Sequence, residues 1–300
     1  MSLPPETVAR LERLLEHAEA FLARLESRLP PPAQEPDWRR VVACRWRRPA
    51  GAERGFLAPV ENPHPIRLAD LVGIEEQKAR IVANTRQFVA GRPANNALLT
   101  GARGSGKSSL VKALLHEFSG NGLRLIEVDK ENLVDLPEIV DGLAGRAEKF
   151  LLFCDDLSFE TGENAYKALK SVLDGSIAAP PENVLIYATS NRRHLIPEYF
   201  SENLESTRAG GEIHPGEAVE EKISLSERFG LWVSFYPFDQ DAYLAIVAHW
   251  LRDFGFPESA IAAARQEALN WALGRGARSG RIAWQFARDY AGSGERKSGD

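Results

Sequence analysis

Four short apolar segments, each followed by a stretch of helical periodicity, constrain the fold of this 300-residue chain more than any other feature. They are NALLTG (96–101), LRLIEVD (123–129), FLLFCDD (150–156) and NVLIYATSN (183–191). Strands that are apolar along their whole length must be covered on both faces, so the alternation is typical of a parallel sheet between two layers of helices. We therefore predict an α/β fold with three αβα layers.

The regions on either side of this alternation have other patterns. Apolar residues at helical spacing between residues 11 and 29 predict an amphipathic helix that ends at the proline run 30–32. Strand-like pieces broken by prolines predict an irregular arm before residue 67, and three helical segments without strands follow Pro237. The predicted organisation is an N-terminal helix and arm (1–66), an α/β domain (67–237), a small helical lid (238–291) and a disordered tail (292–300).

Composition restricts the possible partners and location. The chain has 37 Lys and Arg against 42 Asp and Glu, a net charge of -5, so nucleic acid or anionic lipid would need a local basic patch. Cys44 and Cys154 lie far apart without metal-binding spacing, which indicates a reducing compartment. No apolar run approaches 18 residues and the first residues are not signal-like. We expect a cytoplasmic protein without membrane contact.

A glycine-rich segment directly follows the first apolar run. GARGSGKS (101–108) matches the pattern G-x-x-x-x-G-K-[ST] and precedes the helical SLVKALLHEF. In this context backbone N–H groups turn toward phosphate oxygens, Lys107 reaches the β- and γ-phosphates and the Ser108 hydroxyl can ligate Mg²⁺. The alternative is a glycine-rich loop that binds nothing. The predicted ATP-binding residues of this segment are Gly101, Ala102, Arg103, Gly104, Ser105, Gly106, Lys107, Ser108 and Ser109.

Two carboxylates end the third apolar run. Asp155 is predicted to hold Mg²⁺ together with Ser108, and Asp156 to orient or deprotonate the attacking water. The alternative is a pair of solvated loop acids. Asp156 stands where the commonest pattern has glutamate, and the missing methylene shortens its reach toward water.

The residues from about Leu68 to Ala291 resemble an AAA+ ATPase, a P-loop NTPase with a helical lid. The resemblance implies that Val72 and Gly73 contact adenine, and that Asn191 is a sensor of the γ-phosphate. An ordinary helix entry and a strand-end asparagine capping a turn are the alternatives.

Two arginines match further positions of that family. Arg228 resembles the arginine finger that reaches the nucleotide of a neighbouring subunit; a surface arginine paired with an acid is the alternative. Arg281 resembles the lid sensor, with Arg278 as competitor. The resemblance implies Mg²⁺-dependent ATP hydrolysis, a homo-oligomer in the ATP-bound state and a protein client that the sequence does not identify. An ATP-dependent scaffold or loader with little turnover and a small-molecule kinase are the alternatives. Over its whole length the chain resembles a family of short bacterial AAA+ proteins of unknown function.

Two charged regions fall outside these motifs. Residues 38–54 contain six arginines against one glutamate, interleaved with Trp38 and Trp46, a composition that suits single-stranded nucleic acid. The favoured alternative for this segment, Arg39–Arg48 at its centre, is an edge strand whose tryptophans dock on the core while its arginines pair with acids. The acid-rich stretch 200–222 is interpreted as a solvated loop or a partner-docking loop.

Overall fold

The computed structural model describes residues 35–49, 51–52, 54–159, 164–175, 180–191 and 225–293, the backbone of 207–209 and 212–214, and scattered positions between 10 and 21. The chain divides into two compact units, Met1–Pro36 and Asp37–Asp300. In the first unit the described positions from 10 to 21 are helical, in agreement with the predicted helix. Most of the acid-rich stretch 200–222 and the last seven residues lie outside the described residues.

The second unit contains the strands and helices that position the candidate site. Its strands are β1 (Ala43–Arg47), β2 (Phe56–Pro59), β3 (Ala97–Gly101), β4 (Leu123–Glu127), β5 (Lys149–Cys154), β6 (Val184–Ser190), β7 (Thr207–Ala209), β8 (Glu212–His214) and β9 (Leu231–Phe235). Its α-helices are α1 (Glu75–Val89), α2 (Lys107–Phe118), α3 (Leu136–Leu143), α4 (Asn164–Asp174), α5 (Gln240–Asp253), α6 (Glu258–Gly274) and α7 (Gly280–Ser293). Short 3-10 helices cover Leu68–Asp70, Ser119–Asn121 and Lys130–Asp135.

Seven strands form one sheet in the order β2-β1-β4-β5-β6-β3-β9. Every neighbouring pair is parallel except β1 and β2, which form an antiparallel pair. The parallel sheet predicted from the four apolar segments is confirmed, and those segments supply its four central strands β4, β5, β6 and β3. Strand β9, which the apolar segments did not predict, completes one side, and the separate pair β7–β8 is antiparallel.

Alternating residues of the central strands face two apolar layers. In β5, Leu152 packs with residues of α3 and α4, whereas Leu151 and Phe153 pack with residues of α1 and α2. Both layers are closed to solvent, since all three side chains are at most 1% exposed. The predicted αβα arrangement is confirmed.

The arm is more regular than expected. Strand β1 joins the sheet through parallel pairing with β4, in which Ala43 lies beside Leu125. Trp38 and Trp46 are buried in the same apolar layer as α3 and α4. Burial of two large aromatic rings stabilises this position, because each ring removes a large apolar surface from water. The strand-like pieces of the arm are therefore strands of the sheet at residues 43–47 and 56–59, where the arm is less irregular than expected.

The helical part after Pro237 has an apolar core of its own. Side chains from α5, α6 and α7 pack together, among them Tyr243, Ala268 and Phe286. The Asp239 carboxylate caps α5 by accepting a hydrogen bond from the Ala242 N–H at 2.8 Å. The predicted helical C-terminal part is confirmed, and we call α5–α7 the lid helices.

Candidate functional site

The glycine-rich loop, residues 101–106, runs between β3 and α2 against two other elements. At Gly101, φ is +135° and a Cβ would lie 1.9 Å from the Phe235 carbonyl oxygen of β9. At Gly104, φ is +72° and a Cβ would lie 2.8 Å from Ser279, just before α7. Glycine is required at both positions because the backbone approaches its neighbours too closely for a side chain. The Gly280 N–H also donates to the Gly104 carbonyl at 2.9 Å, so the loop contacts the lid helices directly.

Lys107, the first residue of α2, has a buried ammonium group that is fully engaged. Its Nζ donates to the carbonyl oxygens of Gly101 at 2.8 Å and Ala102 at 2.7 Å, and to Asn191 Oδ1 at 3.0 Å. Burial lowers the pKa of this ammonium, and the nearby carboxylates partly oppose the effect. An ammonium has three N–H donors, so a phosphate oxygen that binds Lys107 must replace or share one of these acceptors.

Two hydroxyl groups and one carboxylate meet where β5 and β6 end. Asp155 Oδ1 accepts hydrogen bonds from Ser108 Oγ at 2.6 Å and from Thr189 Oγ1 at 2.5 Å. Thr189 Oγ1 in turn accepts from the Asp156 N–H at 2.9 Å. The strand register explains the meeting, since Cys154 pairs with Ala188 and the next residues therefore lie side by side. Asp155 is thus fixed in orientation by two hydroxyl groups.

Asp156 has an unusual backbone conformation for an aspartate. Its φ is +52°, and it is the one non-glycine residue with positive φ in the described part of the chain. Its side chain is exposed and accepts a hydrogen bond from the Asn191 amide. Non-glycine residues in the left-handed region carry strain that is often found at functional sites. The amide of Asn191 therefore joins Lys107 on one side to Asp156 on the other.

A cavity of about 630 Å³ surrounds these groups. This volume is within the range of small-molecule sites, which combine an apolar wall with a few convergent polar groups. Most of the polar lining comes from the glycine-rich loop and the ends of β5 and β6, namely Arg103, Gly104, Ser105, Gly106, Lys107, Ser108, Ser109, Asp155, Asp156, Thr189 and Asn191, and the rest from His64, Asp70 and Arg281. The apolar part comes from Ile66, Leu71, Val72, Ile74, Phe238, Ile246, Trp250 and Trp284. The cavity thus has a polar end at the loop and an apolar end beside the lid helices.

The residues assigned by resemblance fall into two groups. Val72 and Arg281 line the cavity. Gly73 does not line it and packs beside Phe238, where an added Cβ would be 3.2 Å from the ring. Arg278 lines a different cavity that does not contain Lys107, which favours Arg281 over its competitor as the lid cation on the side of Lys107.

Arg228 does not line the cavity of its own chain. Its guanidinium Nε donates to the carboxylate of Asp174, the last residue of α4. A finger that acts in a neighbouring subunit and a surface arginine paired with an acid would both have this position. The role of Arg228 remains a prediction.

Sequence reasoning missed several residues of the cavity. Thr189 has its position because of strand register, and the one available signal was a hydroxyl two residues before Asn191. Asp70 is a nearly buried lining residue that contacts Arg67 at 3.2 Å and His249 at 3.5 Å. Trp284 follows Arg281 by one helical turn, and that spacing was the signal that both face the cavity.

Three of the six arginines of the arm are paired with acids of β4 and of the residues that follow it. Arg45 donates to Glu127 at 2.5 Å, and Arg47 lies 3.4 Å from Asp129. Arg48 contacts Asp135 at 2.9 Å. These pairs correspond to the favoured alternative, a strand docked on the core with its arginines paired to acids, except that β2 and not β1 forms the edge of the sheet.

The tryptophans of the arm are equally committed to the core. The indole N–H of Trp46 donates to Asp135 Oδ2 at 2.8 Å, and its side chain is 6% exposed. Trp38 makes an edge-to-face contact with Phe150 at 4.9 Å between ring centroids. Neither ring is available to stack on a base, so the nucleic-acid interpretation of Arg39–Arg48 has no structural support.

Comparison with known proteins identifies a family for this chain. A family model described as "Protein of unknown function (DUF815)" matches residues 39–294, which is most of the chain. The chain belongs to this family. The match includes the arm, the sheet, the glycine-rich loop and the lid helices.

A solved structure with a TM-score above 0.5 shows the same fold. A point mutant of RuvB from Thermotoga maritima, an AAA+ ATPase, superposes with a TM-score of 0.52 at 14% identity, covering 79% of this chain and 68% of that one. The ORC1 protein of Aeropyrum pernix in complex with DNA gives a TM-score of 0.47 at 15% identity, covering 76% and 61%. The DUF815 chain thus has the AAA+ ATPase fold that its sequence motifs resemble.

A short segment also matches a curated protein. Sixty residues are 48% identical to the replication factor C large subunit of Thermofilum pendens, covering 20% of this chain and only 14% of that protein. Among the residues that the structure describes, no helix has both the length and the apolar character needed to cross a bilayer.

Proposed function

We propose that this DUF815 protein binds ATP with Mg²⁺ in the 630 Å³ cavity and hydrolyses it, coupling hydrolysis to movement of the lid helices. The observation that carries the proposal is the connected set of hydrogen bonds from Ser108 through Asp155 and Thr189 to Asp156, opposite the ammonium of Lys107. The set supports the proposal because it brings two oxygen donors suited to Mg²⁺ and a second carboxylate close to an ammonium group. This is the set of groups that phosphoryl transfer to water needs.

The residues present fit a magnesium ion. Ser108 Oγ and Asp155 Oδ1, which are 2.6 Å apart, are hard oxygen donors, and Mg²⁺ is commonly held by one or two such groups plus water and phosphate oxygens. When bound there, Mg²⁺ supplies charge neutralisation at the phosphates. Thr189 holds the Asp155 carboxylate in the orientation in which it faces Ser108.

The remaining groups act on the phosphates and on water. Lys107 exchanges the Asn191 acceptor for a phosphate oxygen and keeps its two carbonyl contacts to the loop. Asn191 is then left with its hydrogen bond to Asp156, so the arrival of phosphate is transmitted to the base. Asp156 accepts a proton from the attacking water, at an exposed carboxylate that the positive φ presents to the cavity.

The lid completes the site from the other side. Arg281 lines the cavity, and the residue before it, Gly280, is hydrogen-bonded to the loop at Gly104. A shift of α7 therefore moves the arginine relative to the phosphates. Arg228 acts in the cavity of a neighbouring copy in an ATP-bound homo-oligomer, where a finger arginine typically gives a 10³–10⁵-fold acceleration.

Titration calorimetry with Mg·ATP tests the binding part of the proposal. The wild-type chain is expected to bind, and Lys107→Ala to lose binding by more than about tenfold, since it removes a charge-assisted contact. The matched control is Lys112→Ala, five residues later on α2 and outside the cavity, which should bind like the wild type. Absence of binding heat for the wild type refutes the proposal.

Phosphate release separates hydrolysis from a nucleotide-dependent scaffold or loader. The scaffold is favoured by one observation, the shorter Asp156 at the position of the base. If the wild type and Asp156→Ala both bind Mg·ATP but release phosphate at the same background rate, the protein is a scaffold and the hydrolysis proposal is wrong.

A further inference from the structure

The lid helices carry a second cavity of about 410 Å³ between the end of α6 and the outer face of α7. We call it the lid groove. It is lined by Trp271, Arg275, Trp284, Gln285, Arg288 and Asp289. It takes no part in the function proposed above, although Trp284 lines both cavities.

Two arginines of the lid groove are stacked on its two tryptophans. The Arg275 guanidinium carbon lies 4.4 Å from the ring centroid of Trp271, and the Arg288 carbon lies 4.6 Å from that of Trp284. Cation–π contact restricts these long side chains to one arrangement while leaving the edge of each guanidinium, with its N–H donors, open. The groove therefore presents two oriented anion-binding groups.

These arginines differ from those of the arm in their electrostatic environment. Arg45 and Arg48 are paired with carboxylates. Arg275 and Arg288 are both exposed. In the part of the chain that the structure describes, neither has a carboxylate within ion-pair distance. An exposed, stacked and unneutralised guanidinium is suited to an external anion.

The surrounding sequence is locally basic in an acidic chain. Residues 271–289 contain four arginines and a single acid, Asp289, whereas the whole chain has a net charge of -5. Two of these arginines, Arg275 and Arg288, line the groove together with Asp289, so the groove carries a net positive charge that is complementary to a phosphate backbone. In addition, the Trp271 indole N–H is buried and has no acceptor among the described residues.

We propose that the lid groove binds single-stranded nucleic acid. Arg275 and Arg288 contact successive phosphates, and bases stack on Trp284, which is 36% exposed, or on the outer face of a guanidinium that already lies on an indole. An unpaired strand is favoured over a duplex because stacking requires a free base face. It is favoured over an acidic peptide because carboxylate side chains make no use of the two aromatic rings.

Fluorescence anisotropy of a labelled oligothymidylate with the full chain, without nucleotide, tests this proposal. The absence of ATP keeps the result separate from the proposed ATPase function. Arg275→Gln combined with Arg288→Gln is expected to weaken binding at low salt by about tenfold or more. It should also flatten the slope of log affinity against log salt by about 1.4, since each phosphate contact to a single strand contributes about 0.7.

The matched control is Arg80→Gln combined with Arg265→Gln. Both control arginines are exposed, neither lines the groove, and the pair removes the same charge from the chain. Its binding and salt slope are expected to equal those of the wild type within about twofold, because neither arginine lines the groove and no phosphate contact is lost.

A variant that keeps the charge tests the stacking geometry. Arg288→Lys is expected to weaken binding severalfold, since an ammonium neither stacks on Trp284 as a plane nor offers a fork to phosphate. This variant also decides the question should the double glutamine variant fail to fold by circular dichroism. The proposal is overturned if the wild type does not bind, if both double variants bind alike, or if oligoglutamate of equal charge competes as well as unlabelled oligothymidylate.

Discussion

Replacing Thr189 by valine removes one hydroxyl from the centre of the candidate site with little change in shape. The side chain is 1% exposed, so water does not substitute for the lost group. The substitution deletes the hydrogen bond to Asp155 Oδ1 at 2.5 Å and the acceptor of the Asp156 N–H at 2.9 Å. That N–H keeps a longer contact to Asp155 Oδ1 at 3.1 Å.

The expected size of the effect follows from these contacts. A hydrogen bond to a charged group contributes about 1.5–3 kcal/mol and one between neutral groups about 1 kcal/mol. The free energy of unfolding should therefore fall by about 2–4 kcal/mol for Thr189→Val. The same hydrogen bond orients Asp155 during the reaction in our proposal. Losing about 1.5–3 kcal/mol of transition-state stabilisation lowers turnover by about ten- to a hundredfold.

Thr189→Ser is the control because serine keeps the hydroxyl and loses only the methyl group. Denaturant unfolding and steady-state phosphate release are measured for the wild type and both variants. Serine should retain most of the stability and turnover. If valine matches serine in both measurements, Thr189 does not orient Asp155 and the reasoning is refuted.

Three further predictions concern the loop, the base and acid stability. Gly101→Ala should lower the free energy of unfolding by more than about 2 kcal/mol, because a Cβ would meet the Phe235 carbonyl at 1.9 Å where φ is +135°; an unchanged denaturation midpoint would contradict this. Asp156→Asn should keep the affinity for Mg·ATP in calorimetry but lower phosphate release by about a hundredfold or more, since the amide does not accept a proton; equal release would assign the base elsewhere. Burial raises the pKa of the Asp70 carboxyl, but hydrogen bonds and charge from Arg67 outweigh it and hold the pKa below its ordinary value of 3.8. Asp70 therefore stabilises the fold above that pH and loses its contribution as the pH falls below it, so Asp70→Asn should make acid unfolding curves less steep in this range.

The central sheet was predictable because its signals are local. Four continuous apolar segments identify buried parallel strands without any knowledge of their neighbours. Strand β9, LWVSF, is short and alternates between buried and exposed residues, so it does not have that signal. For β1, a strand was the favoured alternative, but the partners of its side chains could not be predicted. Its arginines resemble a basic surface until they meet acids about 80 to 90 residues away in the sequence, such as Glu127 for Arg45 and Glu138 for Arg48.

In the candidate site, too, features with a local sequence signal were predictable and contacts between distant residues were not. The loop and the carboxylate pair follow from spacing alone, since Gly101–Ser108 and Asp155–Asp156 are contiguous in sequence. The role of Thr189 depends on which residue of β6 lies beside the end of β5, and one sequence does not specify that register. The pairing of Arg228 with Asp174 joins residues 54 positions apart and was equally inaccessible.

The hairpin formed by β1 and β2 determines where the sheet ends. Without it, β4 would have unpaired N–H and C=O groups along one side, and the ring of Phe150 would lose its contact with Trp38. Open strand edges of this kind promote pairing with other chains. In the intact chain the terminal strand is β2, which has four residues and ends at Pro59, so it offers little for a second copy to pair with. A shortened chain that begins after β2 should therefore self-associate through β4, even though it retains every residue of the cavity.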